Sequence, residues 1–366
     1  ELLASHLDRQ GRLWFGTWSN GAVFLDDGNP SRFRRIEGLP DSTVRLIYQD
    51  QSNDMWFGTV RSGVVHDDGQ RLRNWTMEDG LSGNNVKRAL QDQSGILWLA
   101  TDKGINCYDG NELIPFADEK KIPCYDQVSA IYEDHEGVLW FGTGDCGVSS
   151  YDRGSVTTFT VADGLVANGV HSIFQDRHGV HWFGGGWSGI TSYDGETFTT
   201  YTTKDGFGHR WGGRTWERAD GVLLFSGGHT LFDGVVFQTL FPRDGCGGIM
   251  EVDSRGDIWS LVDSDVVRYR PRTTPPPIAI TDIVLQGRLG PQTEIRLSTE
   301  QKLIAFEYRV PEINPRLGRT VFRYRLRGRE ESWQQTWEHR VEYSDLPTGQ
   351  YVFEVEAVDC DLNYSE

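Results

Sequence analysis

The residues best suited to meet a ligand fall in short loops, outside the regular pattern of the chain. Trp18 stands beside Ser19 and Asn20; Arg61, Asp102-Lys103, Asp145-Cys146, Trp187-Ser188 and His229 follow at comparable places further on. A second set comprises Asp41, Asn84-Asn85, Tyr125-Asp126, Asn168 and the segment GFGHRWGG from Gly206 to Gly213, which holds His209, Arg210 and Trp211. Aromatic rings interleaved with Asn, Asp and Arg suit a sugar: the rings stack on its apolar faces while the polar groups bond its hydroxyls. The ligand-binding candidates are Trp18, Arg61, Asn85, Tyr125, Asp145, Trp187, His209, Arg210, Trp211 and His229. The competing reading is that these loop aromatics pack on neighbouring loops.

Catalytic chemistry finds less support. There is no G-x-S-x-G nucleophile and no phosphate-binding loop. His178 and His181 are close in sequence, but one falls in a turn and the other in a strand, so they do not suggest a metal pair. The best enzymatic alternative is a polysaccharide or streptogramin-like lyase, or a glycoside hydrolase, with His171, His209 or His229 as general base. No catalytic residue, metal or cofactor is assigned.

The elements that position these loops come from a repeat. D-x-x-G-x-x-W-F-G-T occurs as DRQGRLWFGT (Asp8–Thr17), DQSGILWLAT (Asp92–Thr101) and DHEGVLWFGT (Asp134–Thr143). DQSNDMWFGT (Asp50–Thr59) has Asn53 in place of the Gly, and DRHGVHWFGG begins at Asp176. Trp14, Trp56, Trp98, Trp140 and Trp182 are spaced by 42 residues. The next step lands on Leu224 in a worn copy, and a seventh copy, DSRGDIWS, carries Trp259 after a shorter step of 35. Each unit resolves into four short strands. In one they are Val86–Gln91, Ile96–Thr101, Gly104–Tyr108 and a strand after the Asp109-Gly110 turn. Units of this length with four strands predict a seven-bladed β-propeller over residues 1–270. The recurring Asp, Gly and Trp are read as fold elements: turn acceptor, left-handed residue and filler between blades.

PRTTPPP at 271–277 reads as an extended linker. Residues 278–366 alternate as strands with Pro-Gly turns, predicting an immunoglobulin or fibronectin-like β-sandwich from which a final strand is missing; the chain reads as a piece of something longer. The all-β reading agrees with composition: 43 Gly, 13 Trp and 12% aromatics among 366 residues. The net charge of −17 argues against nucleic acid as a partner. No signal peptide and no membrane-spanning run of about 20 apolar residues is present. The five cysteines (Cys107, Cys124, Cys146, Cys246, Cys360) show neither disulfide-framework nor zinc spacing and are expected to be buried residues or loop thiols.

The blades resemble the two-component regulator propeller repeat, best seen from Val128 to Asp152. The tail resembles the three-tyrosine domain that follows such propellers, with Tyr324, Tyr343 and Tyr351 as its tyrosines. The resemblance implies the sensor region of a bacterial two-component-type receptor on the periplasmic or extracellular face of the inner membrane. It also implies a small-molecule or oligosaccharide ligand, a transmembrane segment and output domain beyond this chain, and homodimerisation in the full receptor. A protein-interaction scaffold is the third alternative.

Overall fold

The structure, a computed structural model, describes residues 2–25, 33–186, 188–208, 213–226, 229–240, 250–253, 255–262, 265–298, 303–311 and 320–365. It is all-β apart from single 3-10 turns, and its sheets are antiparallel; those up to Tyr269 are built from consecutive strands, consistent with a β-propeller. The chain forms two compact units: Glu1–His229 with Gly245–Arg270, and Thr230–Asp244 with Pro271–Glu366. No helix among the described residues is long and apolar enough to cross a membrane.

In the first unit, five four-stranded sheets follow one another. Their inner strands are Leu2–Leu7, Val44–Gln49, Val86–Gln91, Val128–Glu133 and Val170–Gln175, and the WFGT segments form the second strand of each. Thr215–Glu217 pairs with Leu223–Phe225, and Met250–Val252 opens a last, three-stranded sheet. Successive inner strands from Leu2–Leu7 to Thr215–Glu217 lie side by side, and Met250–Val252 returns to Leu2–Leu7, so these strands run around a common centre.

The repeated residues explain why each sheet forms and why the sheets stack. Each repeat Asp caps its turn with one carboxylate oxygen: Asp92 Oδ1 accepts from the Ile96 N–H at 2.9 Å, and Asp134 Oδ1 accepts from Val138 at 2.8 Å. The third residue after it needs a left-handed backbone, with φ of 89° at Gly95; Asn53 holds the same conformation at 73°, which Asn tolerates better than most side chains. The second carboxylate oxygen accepts the indole N–H of the repeat Trp, at 2.7 Å from Trp14, 2.7 Å from Trp98 and 2.7 Å from Trp140. With that bond made, these Trp rings face the next sheet, where they meet the residue after the following Trp or, in the worn copy, after Leu224. Trp14 lies 5.6 Å from Phe57, Trp140 5.6 Å from Phe183 and Trp182 5.6 Å from Phe225, ring centre to ring centre. The core is therefore a series of layers between neighbouring sheets. The glycine of W-F-G-T makes the approach close enough: a Cβ on Gly142 would sit 2.6 Å from the Val170 carbonyl oxygen of the next inner strand.

The second unit holds two three-stranded sheets, Ala279–Val284/Leu303–Arg309/Arg340–Ser344 and Gln334–Thr336/Val321–Arg327/Val352–Val358. They share one core around Ile283, Phe306, Tyr308, Phe322 and Tyr343. Phe306 stacks on Phe353 at 4.0 Å. The hairpin Thr230–Phe232/Phe237–Thr239 belongs to this unit, where Gln238 donates to the Val358 carbonyl at 2.7 Å and Tyr364 donates to Asp233.

Candidate functional site

The two groups of loops singled out from sequence meet on one face of the first unit, because backbone hydrogen bonds tie them together. Gly21 donates to Ser42, Gly63 to Asn84, Asp102 to Asn85, Gly147 to Asn168 and Gly186 to Gly169, all between 2.7 and 3.0 Å. Asn84 and Asn168 are structural: their side chains accept the N–H groups of Met77 and Val161, each at 2.9 Å. Asp41 is similarly spent on Thr43 and on the backbone of Arg61.

At the base of these loops every intact repeat breaks its pairing at the same place. The register skips one residue between Leu2 and Ala4, Val44 and Leu46, Val86 and Arg88, Val128 and Ala130, and Val170 and Ser172. The bulged residues are Leu3, Arg45, Lys87, Ser129 and His171. A bulge re-aims its side chain, and here it gathers polar groups at the mouth of the ring of inner strands. Arg45 donates to Asn85 Oδ1 at 3.1 Å, Lys87 to the Asp126 carbonyl at 3.4 Å, and Ser129 to the Val170 carbonyl at 2.6 Å. Arg88 follows directly and donates to the Lys87 carbonyl at 2.8 Å. From across the ring, Arg214 reaches Glu251 at 2.7 Å, and Ser5 shares the same carboxylate oxygen at 3.0 Å.

These groups feel one another. Burial, with the charges of Arg45 and Arg214, holds Arg88 down at about 10. Burial and Arg88 lower His171, opposed by Asp145. Burial and Arg45 lower Lys87, against Asp102 and Asp126. His6 is lowered to about 4 by burial and by Arg214. Groups on or directly beside the first, second, third, fifth and sixth inner strands thus share one electrostatic environment.

Of the candidates from sequence, Asn85 enters this group through Arg45, and Asp145 through His171. Trp18 and Arg61 are exposed on the outer loops, Trp18 with 55% of its surface free. Tyr125 packs partly buried against the layer containing Phe116 and Phe141. His229 is fully buried, bonded to Ser260 and held at about 4 by that burial, so it reaches neither solvent nor a ligand without rearrangement. Trp187, His209, Arg210 and Trp211 lie outside the described residues. Arg45, Lys87, Arg88 and Arg214 were missed, since in a single strand they read as ordinary solvent-facing positions. Stacking the repeats at the 42-residue step would have exposed Arg45, Lys87, Ser129 and His171 in one column.

The cysteines correct an expectation. Cys124 and Cys146 form a disulfide, Cα to Cα 6.1 Å, joining two loops of this face; spacing could not reveal it because the loops meet only in the fold. His181 is buried, facing Asp134 at 3.3 Å and tilted over Trp140. Asp50, Asp54 and His66 lie within 4.8 Å of one another, but Asp50 accepts the Trp56 indole and Asp54 bonds His66, so all three have structural partners. On the opposite face, a cavity of about 1000 Å³ lies between the Asp turns of the later sheets, lined by Tyr132, Phe174, Trp216 and Asp253 among others. Four of its charges pair among themselves, Arg177 with Glu217 and Arg218 with Asp220.

Comparison with known proteins agrees with this architecture at the level of its repeats. Residues 38–61, 80–103 and 123–145 match the family described as two component regulator propeller, so the chain carries repeats of that kind. No curated protein matches the chain. Streptogramin B lyase superposes with a TM-score of 0.58 at 14% identity over 72% of this chain and 91% of its own. Virginiamycin B lyase from Staphylococcus aureus gives 0.56 at 14% over 71% and 90%. These two likenesses are of fold. The extracellular domain of a protein assigned to a hybrid two component system of B. thetaiotaomicron aligns over 100% of this chain and 66% of that one, with 22% identity and a TM-score of 0.46. The chain thus spans about two thirds of that domain's length.

Proposed function

We propose that this chain is a ligand-sensing, extracytoplasmic part of a bacterial two-component-type receptor. In this reading residues 1–270 form a seven-bladed propeller that binds an oligosaccharide or similar small molecule on its loop face. A three-tyrosine β-sandwich over 278–366, carrying Tyr324, Tyr343 and Tyr351, passes the signal to membrane and output parts outside this chain. The observation that carries the reading is the three matched regulator-propeller repeats, whose loops converge where the inner-strand bulges aim Arg45, Lys87, Ser129 and His171. The Cys124–Cys146 disulfide supports an oxidising compartment, since such bonds persist in the periplasm and outside the cell.

The test is a thermal-shift screen against neutral and acidic oligosaccharides, with the ligand masses read afterwards. A ligand that binds only the folded state raises apparent stability by mass action. A shift with unchanged mass is the expected result. A changed mass would move the reading to a lyase or glycoside hydrolase, with His171 as the first residue to replace. No shift with any sugar would remove oligosaccharides as the ligand class.

A further inference from the structure

The mouth of the ring concentrates positive charge in a chain whose net charge is −17. Arg45, Lys87, Arg88 and Arg214 come from three places in the sequence: Arg45 and Lys87 are bulged residues of two adjoining inner strands, Arg88 follows Lys87, and Arg214 and Arg45 both lie close enough to act on Arg88. Carboxylates answer most of them: Glu251 pairs with Arg214, Asp102 sits near Arg45 and Lys87, and Asp126 near Lys87. Arg88 has none among the described residues. Its one described side-chain hydrogen bond goes to the carbonyl of the preceding residue, although a guanidinium carries five N–H donors. Its remaining donors are not sealed in protein. A cation with like charges around it and no carboxylate beside it is costly to hold, and nothing in the sheet requires a cation there: the equivalent residues of neighbouring repeats are Leu46, Ala130 and Ser172.

We propose that Arg88, with Arg45 and Arg214, forms an oxyanion site at the centre of the loop face, which takes a carboxylate or sulfate carried by the ligand. This rests on the loop-face reading above and names the ligand's chemistry: an acidic saccharide, with its anionic group at the mouth and its hydroxyls toward Asn85 and Asp145. Guanidinium groups suit such a group because they donate two parallel N–H bonds to one carboxylate or sulfate. Asp102, Asp126 and Asp145 around the rim disfavour a polyanion, so the site selects one buried anionic group on an otherwise polar molecule.

Two measurements on the full 366-residue chain test this, in phosphate-free buffer. The first is the thermal shift produced by inorganic sulfate against chloride of equal ionic strength, in the wild type and in Arg88→Met. Sulfate stabilises proteins generally, so the variant supplies the baseline. The expected result is a sulfate-specific shift in the wild type and binding at least about tenfold weaker in R88M. Ligand-free R88M should melt about 2–4 °C above wild type, because an uncompensated charge has been removed. A purely structural arginine would give the opposite sign. Equal sulfate shifts in both proteins, or an R88M that melts lower, overturn the proposal. Should R88M not fold, Arg45→Met must weaken the sulfate shift; an unchanged shift there is equally fatal. The second measurement titrates matched neutral and uronate disaccharides. Neutral sugars binding as well as their uronate counterparts would leave the saccharide reading standing and sink the oxyanion site. Sulfate bound through Arg88 with no saccharide bound would do the reverse.

Discussion

The Asp–Trp bond that recurs in the repeats makes the protein its own control. Asp134 is buried and receives four bonds: the N–H groups of Glu136 at 3.1 Å and Val138 at 2.8 Å, the Trp140 indole at 2.7 Å, and His181 at 3.3 Å. Asp134→Ala removes all four acceptor contacts. A buried donor left unpaired costs about 1–3 kcal/mol, which applies to the Trp140 indole; the two turn N–H groups, nearer to water, add about 1 kcal/mol each. The sum is about 3–5 kcal/mol, equivalent to a fall in Tm on the order of 10 °C for a unit of this size. In the worn repeat, Leu224 stands where the indole would be and Arg218 where the Asp would be; the nearby Asp220 accepts the Val222 N–H at 3.2 Å and a bond from the partly buried Arg218 at 2.7 Å. Asp220→Ala should therefore cost about 1 kcal/mol or less. Asp134→Asn, which keeps one acceptor oxygen but turns an N–H toward the indole, should fall between the two. Urea unfolding monitored by tryptophan fluorescence compares the three. An Asp134→Ala protein within 1 kcal/mol of wild type, or an Asp220→Ala protein just as damaged, would refute the claim that this bond holds the Trp layers in place.

Three further outcomes follow from particular contacts. Replacing both Cys124 and Cys146 with Ser releases a loop closed over 22 residues, with an expected loss of about 3 kcal/mol from loop entropy; thiol titration of unfolded wild type should find at least two fewer thiols before reduction than after it. Gly142→Val should destabilise by about 1–3 kcal/mol through overpacking against Val170, whereas the third repeat already accepts Ala100 at this place, so Gly142→Ala should cost less. His6 and His229 are both held near 4 in the folded protein, chiefly by burial, below the ordinary imidazole value of 6.5. The unfolded chain then binds more protons than the folded one, so stability should be constant above about pH 7 and fall as pH drops from 6.5 toward 4. His6→Gln should flatten that fall in a series of melts across pH, and an unchanged slope would argue against His6 as a source.

The sequence already revealed what repeats, and much less of what occurs once. A 42-residue step in Trp fixes which strands face which, because a ring that fills the gap between sheets must recur wherever there is a gap. The worn copy at Leu224 was visible for the same reason. The hairpin after it, Thr230–Thr239, was not recognisable as part of the second compact unit. Its partners there, Val358 and Tyr364, are more than a hundred residues away, and its own pattern is that of any outer strand pair. The disulfide was hidden similarly, since nothing in Cys124 and Cys146 indicates that loops from neighbouring sheets meet.

The mouth of the ring shows the difference most clearly. Reading along the chain, VKRALQ is a strand with two wet positions, and Lys87 and Arg88 attract no notice. Reading across repeats, the residue after each Val changes from Leu3 to Arg45, Lys87, Ser129 and His171, while the Val or Leu before it stays apolar and buried or nearly so. A position that the fold leaves free to vary, and that a bulge turns toward a shared centre, is where a repeat architecture can acquire a single asymmetric site. The constant residues build the ring, and the variable column beside them determines what the ring can hold. On that division the proposed site draws on Arg45 from the variable column and on Arg88 and Arg214 beside it, before the exposed aromatics such as Trp18. If Trp18→Ala abolished binding while Arg88→Met left it intact, the site would belong to the outer loops and the charged centre would be only an electrostatic oddity of the fold.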